Sequence, residues 1–98
     1  MSVTIRHVVI RGLVQRVGYR AWTEMTALEL GLEGWVRNRR DGTVEALFAG
    51  PADRVTEMLN ACRQGPPGAQ VEAIDQQDAL PEHAALCRSG DFVVLPTA

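Results

Sequence analysis

The stretch Gly12-Leu13-Val14-Gln15-Arg16-Val17-Gly18-Tyr19-Arg20 joins a strand-like apolar run to a helical pattern. It carries two glycines, yet no Ser, Thr, Asp or Asn stands where a helix N-cap is expected. The first turn of a helix leaves backbone N–H groups without intrahelical partners, and a capping side chain ordinarily takes one of them. With none available locally, a Gly-bearing loop at the positive end of a helix suits a bound anion. Arg20 adds a planar, permanently charged fork that matches phosphate. Residues Gln15, Arg16, Val17, Gly18, Tyr19 and Arg20 are therefore a candidate cradle for a phosphate-sized anion. An ordinary strand-to-helix turn with water on its amides reads equally well from this stretch alone. Further on, Asn38 closes a second strand-like run just before Asp41-Gly42, a hairpin signal. A neutral amide there could cap the strand end, or donate to and accept from one water beside the cradle.

Several other chemistries lack their residues. The only serines are Ser2 and Ser89, so a Ser-His-Asp nucleophile is not expected. A Walker phosphate loop needs a Lys, and the chain contains none. A cysteine phosphatase wants an Arg six residues after its Cys; Gly68 follows Cys62 at that spacing and Val93 follows Cys87. His7 and His83 stand isolated in sequence, and no cluster of His, Cys and carboxylates at metal-ligand spacing is visible, so no metal and no cofactor are expected. Cys62 and Cys87 read as free thiols, with a disulfide as the lesser alternative.

The net charge of -2 hides an asymmetry. Residues 1–40 carry seven of the ten Arg against Glu24, Glu29 and Glu33, while the remainder carries three Arg against nine acids. The positive half holds the candidate cradle, and its field would steer a small anion. It is a weak signal for nucleic acid, given a pI near 5.6 and 5% aromatics. No run of 18 apolar residues and no charged-then-apolar leader is present, which sets the expectation of a cytoplasmic chain away from membranes.

The elements that must position these residues follow in order. Val3 to Val14 reads as a first strand, internal because both faces carry apolar residues. Tyr19 to Leu30 reads as a helix ended by Gly31, anchored to a sheet by Tyr19 and Leu30. Leu32–Asn38 and Thr43–Ala49 read as strands around the hairpin. Pro51 to Gln64 reads as a helix with Val55, Met58, Leu59 and Cys62 as its buried stripe, stopped by Gly65-Pro66-Pro67-Gly68. Val71–Asp78 reads as a fourth strand. Residues 79–91 are ambiguous and have room for a short helical turn, and Phe92–Leu95 reads as a short edge strand. The order strand, helix, strand, strand, helix, strand is the split βαβ, ferredoxin-like pattern: an α+β fold, one domain over residues 1–98, with both helices on one face of an antiparallel sheet. In it the first two strands run parallel with the third between them, so their ends share one sheet edge and Asn38 could face the Gln15–Arg20 loop.

The residues resemble the acylphosphatases. That family's first motif, Gly-x-Val-Gln-Gly-Val-x-Phe-Arg, is similar to residues 12–20, with Tyr19 for Phe and Arg16 for a usual Gly. Its second, Gly-aromatic-small-x-Asn followed by Gly-x-Val and a later Gly, is similar to Gly34-Trp35-Val36-Arg37-Asn38 with Gly42, Val44 and Gly50. The resemblance implies metal-independent hydrolysis of acyl phosphates to a carboxylate and inorganic phosphate, with Arg20 on the phosphate and Asn38 orienting the water. It implies a small-molecule substrate, no membrane or nucleic-acid partner, and a monomer. If the Gly at position 16 is usual because φ is positive there, Arg16 carries strain of about 1 kcal/mol. Two other functions fit less well. A related domain could bind carbamoyl phosphate or phosphate without turning it over, and a ferredoxin-like nucleic-acid binder would need aromatics on its strands, of which the first strand has none.

Overall fold

The structure is a computed structural model that describes residues 3–98; Ser2 lies outside the described residues. Five strands form one sheet: β1 (Val3–Leu13), β2 (Glu33–Asn38), β3 (Val44–Pro51), β4 (Gln70–Asp78) and β5 (Phe92–Val94). Helix α1 (Tyr19–Glu29) connects β1 to β2, α2 (Ala52–Cys62) connects β3 to β4, and a single turn, α3 (Pro81–Ala84), precedes β5. The sheet order is β4-β1-β3-β2-β5. The first four strands give the ferredoxin-like pattern expected from the sequence. The short fifth strand adds to the edge, where it pairs parallel to β2 (Gly34↔Phe92 to Val36↔Val94) and makes the sheet mixed.

The two faces follow from the strand period of two. Val8, Ile10, Val36, Val44, Ala46 and Phe48 point to one face and pack with Tyr19 and Ala27 of α1 and Val55, Met58, Leu59 and Cys62 of α2. This is the main core, and the predicted stripe of α2 is buried in full. Leu30 packs against the core at the other end of α1, as expected.

Alternate residues of the same strands, His7, Val9, Trp35, Glu45 and Leu47, face the other way and are also buried. No long helix is available to cover them. The segment 79–91 does so instead: the Trp35 indole donates to the His83 carbonyl at 3.0 Å, and the rings of His7 and His83 stack with centroids 3.8 Å apart. The Gly90 N–H ties the far end of this strap to Glu33 at 2.9 Å. The ambiguous segment of the sequence thus closes the outer face of the sheet.

Candidate active site

The site begins where β1 leaves the sheet. Pairing between β1 and β4 shifts register between Arg11 and Gly12. Gly12 has φ +127°, and a Cβ there would lie 2.1 Å from the Gln70 carbonyl oxygen, so only Gly fits this bulge. The chain then turns through two left-handed residues, Arg16 (φ 63°) and Gly18 (φ 79°). Arg16 is the one non-glycine with positive φ among the described residues. The φ behind the usual Gly is therefore present, and Arg16 bears the strain expected of an L-residue there.

Gly18 is the residue from which α1 starts, and no side chain caps it. The first intrahelical bond runs from Trp22 N–H to the Gly18 carbonyl at 3.0 Å, so the N–H groups of residues 19–21 precede it. Among the described residues, no backbone bond is donated by the N–H groups of residues 15–18. The loop thus presents a run of amides at a helix N-terminus.

Arg20 is held by its neighbour. Tyr19 is fully buried, donates its hydroxyl to the Cys62 carbonyl at 2.7 Å, and meets Trp22 edge-on at 5.4 Å. This pins the first turn of α1 against the end of α2. Burial, with Cys62 alongside, raises the Tyr19 phenol, and burial pushes the Cys62 thiol up to about 12. Both stay neutral near pH 7, so neither is a nucleophile. Arg20 is half-buried, and among the described residues no carboxylate pairs with it.

Asn38 is the last residue of β2, paired with Val44. The period of two puts it on the helix-bearing face with Val36. Its carbonyl accepts the Ala98 N–H at 3.0 Å, which fastens the strand end. Arg20 and Asn38, from different elements, line one cleft of about 310 Å³ together with Arg16, Gly18 and Tyr19. Val14, Ala21 and Val94 give it apolar wall, and Glu24 adds a carboxylate. Gln15 and Val17 of the candidate cradle do not line this cleft. Gln15 turns its amide to the β2–β3 hairpin, and Val17 packs against the core.

Four lining residues lie outside the set expected from the sequence: Val14 and Ala21, which flank the candidate cradle, and Glu24 and Val94. Glu24 stands four residues after Arg20, so helical spacing was a usable signal. Val94 reaches the cleft only because β5 lies parallel to β2, and nothing local announces that pairing.

A second polar cluster lies on the outer sheet face. His7, Glu45 and His83, far apart in sequence, bring ligand-type atoms within 4.8 Å of one another. His7 and His83, isolated in sequence, are brought together by tertiary packing, which stacks their rings. His7 Nε2 lies 2.6 Å from Glu45 Oε2, Arg37 donates to Glu45 Oε1 at 2.6 Å, and Gln77 meets His7 Nδ1 at 3.0 Å. Burial alone would raise the Glu45 pKa, but the bonds from Arg37 and His7 outweigh it and hold the carboxyl below its ordinary range. The geometry does not suit a shared metal ion. The two imidazoles are parallel within 4°, so their in-plane lone pairs lie in separate layers, and Arg37 already balances the carboxylate.

The family model described as Acylphosphatase matches residues 6–92. An acylphosphatase of Nitrobacter hamburgensis is 52% identical over 99% of both chains, and one of Bradyrhizobium diazoefficiens is 54% identical over the same share. Among solved structures, an acylphosphatase from Coxiella burnetii superposes with a TM-score of 0.84 at 32% identity, covering 95% of this chain and 93% of that one. A strand-to-helix loop with free amides, an Arg and an Asn facing one cleft, and relatives about half identical over the full length lead to one conclusion: this chain belongs to the acylphosphatase family, hydrolases that act on acyl phosphates.

Proposed function

We propose that the cleft hydrolyses the carboxyl–phosphate bond without a metal ion. The loop N–H groups of residues 15–20 and the Arg20 fork hold the phosphate, and the Asn38 amide orients the attacking water. Water oxygen bonds to phosphorus while the bond to the acyl oxygen breaks, and the carboxylate departs with the electron pair. The water's protons pass to the phosphate and the solvent. A carboxylate is a weak base with a pKa of about 4, so no general acid is needed to expel it. The transition state of phosphoryl transfer is loose, and positioning with charge stabilisation supplies most of the catalysis. One Arg, a run of amides and one water-holding Asn are therefore a sufficient set.

The observation that carries this reading is the meeting of Arg20 and Asn38 in one cleft, one from the start of α1 and the other from the end of β2. Both come from one copy of the chain, which supports action as a single-domain monomer over residues 1–98. Cys62 and Cys87 are both free, in keeping with a reducing compartment such as the cytoplasm.

The test sets phosphate binding by calorimetry beside turnover of benzoyl or acetyl phosphate, in EDTA. Asn38→Ala is expected to bind phosphate almost normally and to lose about 10²-fold or more in turnover, since it acts chiefly as the transition state forms. Arg20→Ala is expected to lose both. An active Asn38→Ala, or an Arg20→Ala that binds phosphate like the parent, overturns the division of roles. Loss of the parent's activity in EDTA, restored by Mg²⁺ or Zn²⁺, overturns the metal-free reading. Phosphate binding without turnover would mark a binding module instead.

A further inference from the structure

The ladder that joins the two halves of the site stops short of it. The pairing of β1 with β3 ends at Ile10↔Val44, and β2 reaches the same residue through Asn38↔Val44. Beyond Ile10, β1 is paired only with β4, on its other side. The anion loop that follows β1 and the hairpin that follows Asn38 therefore run on side by side without ladder bonds between them.

One side chain spans this gap. Gln15 donates from Nε2 to the Arg39 carbonyl at 2.7 Å and to the Thr43 carbonyl at 2.9 Å. Those carbonyls are the two anchor points of the hairpin itself. Arg39 N–H donates to Thr43 O at 2.9 Å, and Gly42 N–H donates to Arg39 O at 3.1 Å. Arg39 is the residue directly after Asn38. A primary amide nitrogen has two N–H donors, and both are used here. Gln15 is half-buried, and it does not line the cleft that Arg16, Gly18, Tyr19, Arg20 and Asn38 line.

We infer that Gln15 is a positioning residue, whose side chain sets the distance between the phosphate cradle and Asn38 and does not itself bind phosphate. The inference rests on the reading of Arg20 and Asn38 given above. The cradle fixes the electrophilic phosphorus, and Asn38 fixes the water that attacks it. A misplacement of about 1 Å between reacting groups costs about 10²-fold in rate. A clamp between the loop and the hairpin acts on that separation. The side-chain chemistry of Gln suits such a clamp. Glu would aim acceptors at two acceptors, Met has the length without donors, and Asn is one methylene too short.

The experiment measures kcat on benzoyl phosphate, phosphate Kd by calorimetry and thermal midpoint for the parent, Gln15→Met, Gln15→Glu, Asn38→Ala and the double variant Gln15→Met/Asn38→Ala. Gln15→Met is expected to lose roughly 10- to 100-fold in kcat, with phosphate Kd within about twofold because loop amides and Arg20 remain. The double variant is expected to be no worse than Asn38→Ala, because the two act as a unit. Gln15→Glu is expected to recover relative to the parent as pH falls through the carboxyl range, where its O–H becomes a donor. If Gln15→Met does not fold, that pH-dependent recovery carries the test. Parent-like kcat in Gln15→Met, a Kd loss that matches its kcat loss, or multiplicative losses in the double variant would each overturn the inference. An active Asn38→Ala would instead overturn the reading beneath it.

Discussion

Two groups of polar side chains hang on the same sheet and differ in how far the protein satisfies them. On the outer face, His7 meets Gln77 and Glu45 with its two nitrogens, and Glu45 gives its second oxygen to Arg37. His7 and Glu45 are about 5% exposed, and no buried side-chain polar atom among the described residues lacks a partner. At the mouth of the helix-bearing face, Arg20 and Asn38 are half-buried, and their side chains make no hydrogen bond or ion pair with the described residues. Both groups contain the residue types from which active sites are built. Satisfaction separates them. A buried network with every group paired holds structure, whereas groups aimed into an accessible cleft retain bonding capacity for a ligand.

Arg20→Lys gives the sharpest break between the two. It keeps the charge and removes the planar fork, so kcat/KM is expected to fall about 10²-fold or more, with thermal stability close to the parent. Steady-state kinetics beside a thermal melt read both. A large stability loss would show that Arg20 belongs to the structural kind. Glu45→Ala should do the reverse. It strips Arg37 and His7 of their shared carboxylate, with an expected cost of about 3 kcal/mol in urea unfolding, while kcat stays within about threefold. A collapse of kcat in a folded Glu45→Ala would join the two regions.

Acid separates them more gently. His83 is held below the ordinary imidazole range, by burial first and then by His7, with Arg37 also opposing its charge and Glu45 and Glu82 favouring it. Its unfolded form takes up a proton near pH 6.5 before the folded form does, so stability should fall as pH drops below about 6.5. Glu45 is also depressed in the folded state, so its contribution is present above its unfolded pKa of about 4.3 and is lost at still lower pH. Urea midpoints should therefore decline in two stages. His83→Phe, which keeps a ring over His7, should flatten the first stage alone, and an unchanged slope would remove His83 from the account. The smallest effect concerns Arg16. Arg16→Gly should release about 1 kcal/mol of left-handed strain, leave kcat unchanged and shift KM modestly with less salt dependence. A large fall in kcat would place the Arg16 side chain among the groups acting on the substrate.

The legible parts of this molecule are the local ones. Gly12, the uncapped start at Gly18 and the Asp41-Gly42 hairpin announce themselves within a few residues, because turn and cap chemistry is short-range. The buried stripe of α2 is periodic and could be counted. Strand order alone brings Arg20 and Asn38 to one sheet edge. The stacking of His7 on His83 was not legible, since it depends on a strap that carries no periodicity of its own. The parallel seat of β5, and with it Val94 in the cleft, was hidden for the same reason. Gln15 reads with the cradle because its neighbours in sequence are there, while its side chain answers to a hairpin beyond Asn38.

The seat of β1 between β3 and β4 has a consequence for the chain's synthesis. β1 emerges from the ribosome well before β4, which completes one of its edges and begins only at Gln70. At roughly 5–20 residues per second, several seconds pass with that edge uncovered. Over that interval a Val- and Ile-rich strand must avoid pairing with a neighbouring nascent chain. Arg6 and Arg11, which later pair with Asp78 and Asp75 of β4, interrupt its apolar run meanwhile. Until those aspartates arrive, the two like charges keep copies of β1 apart.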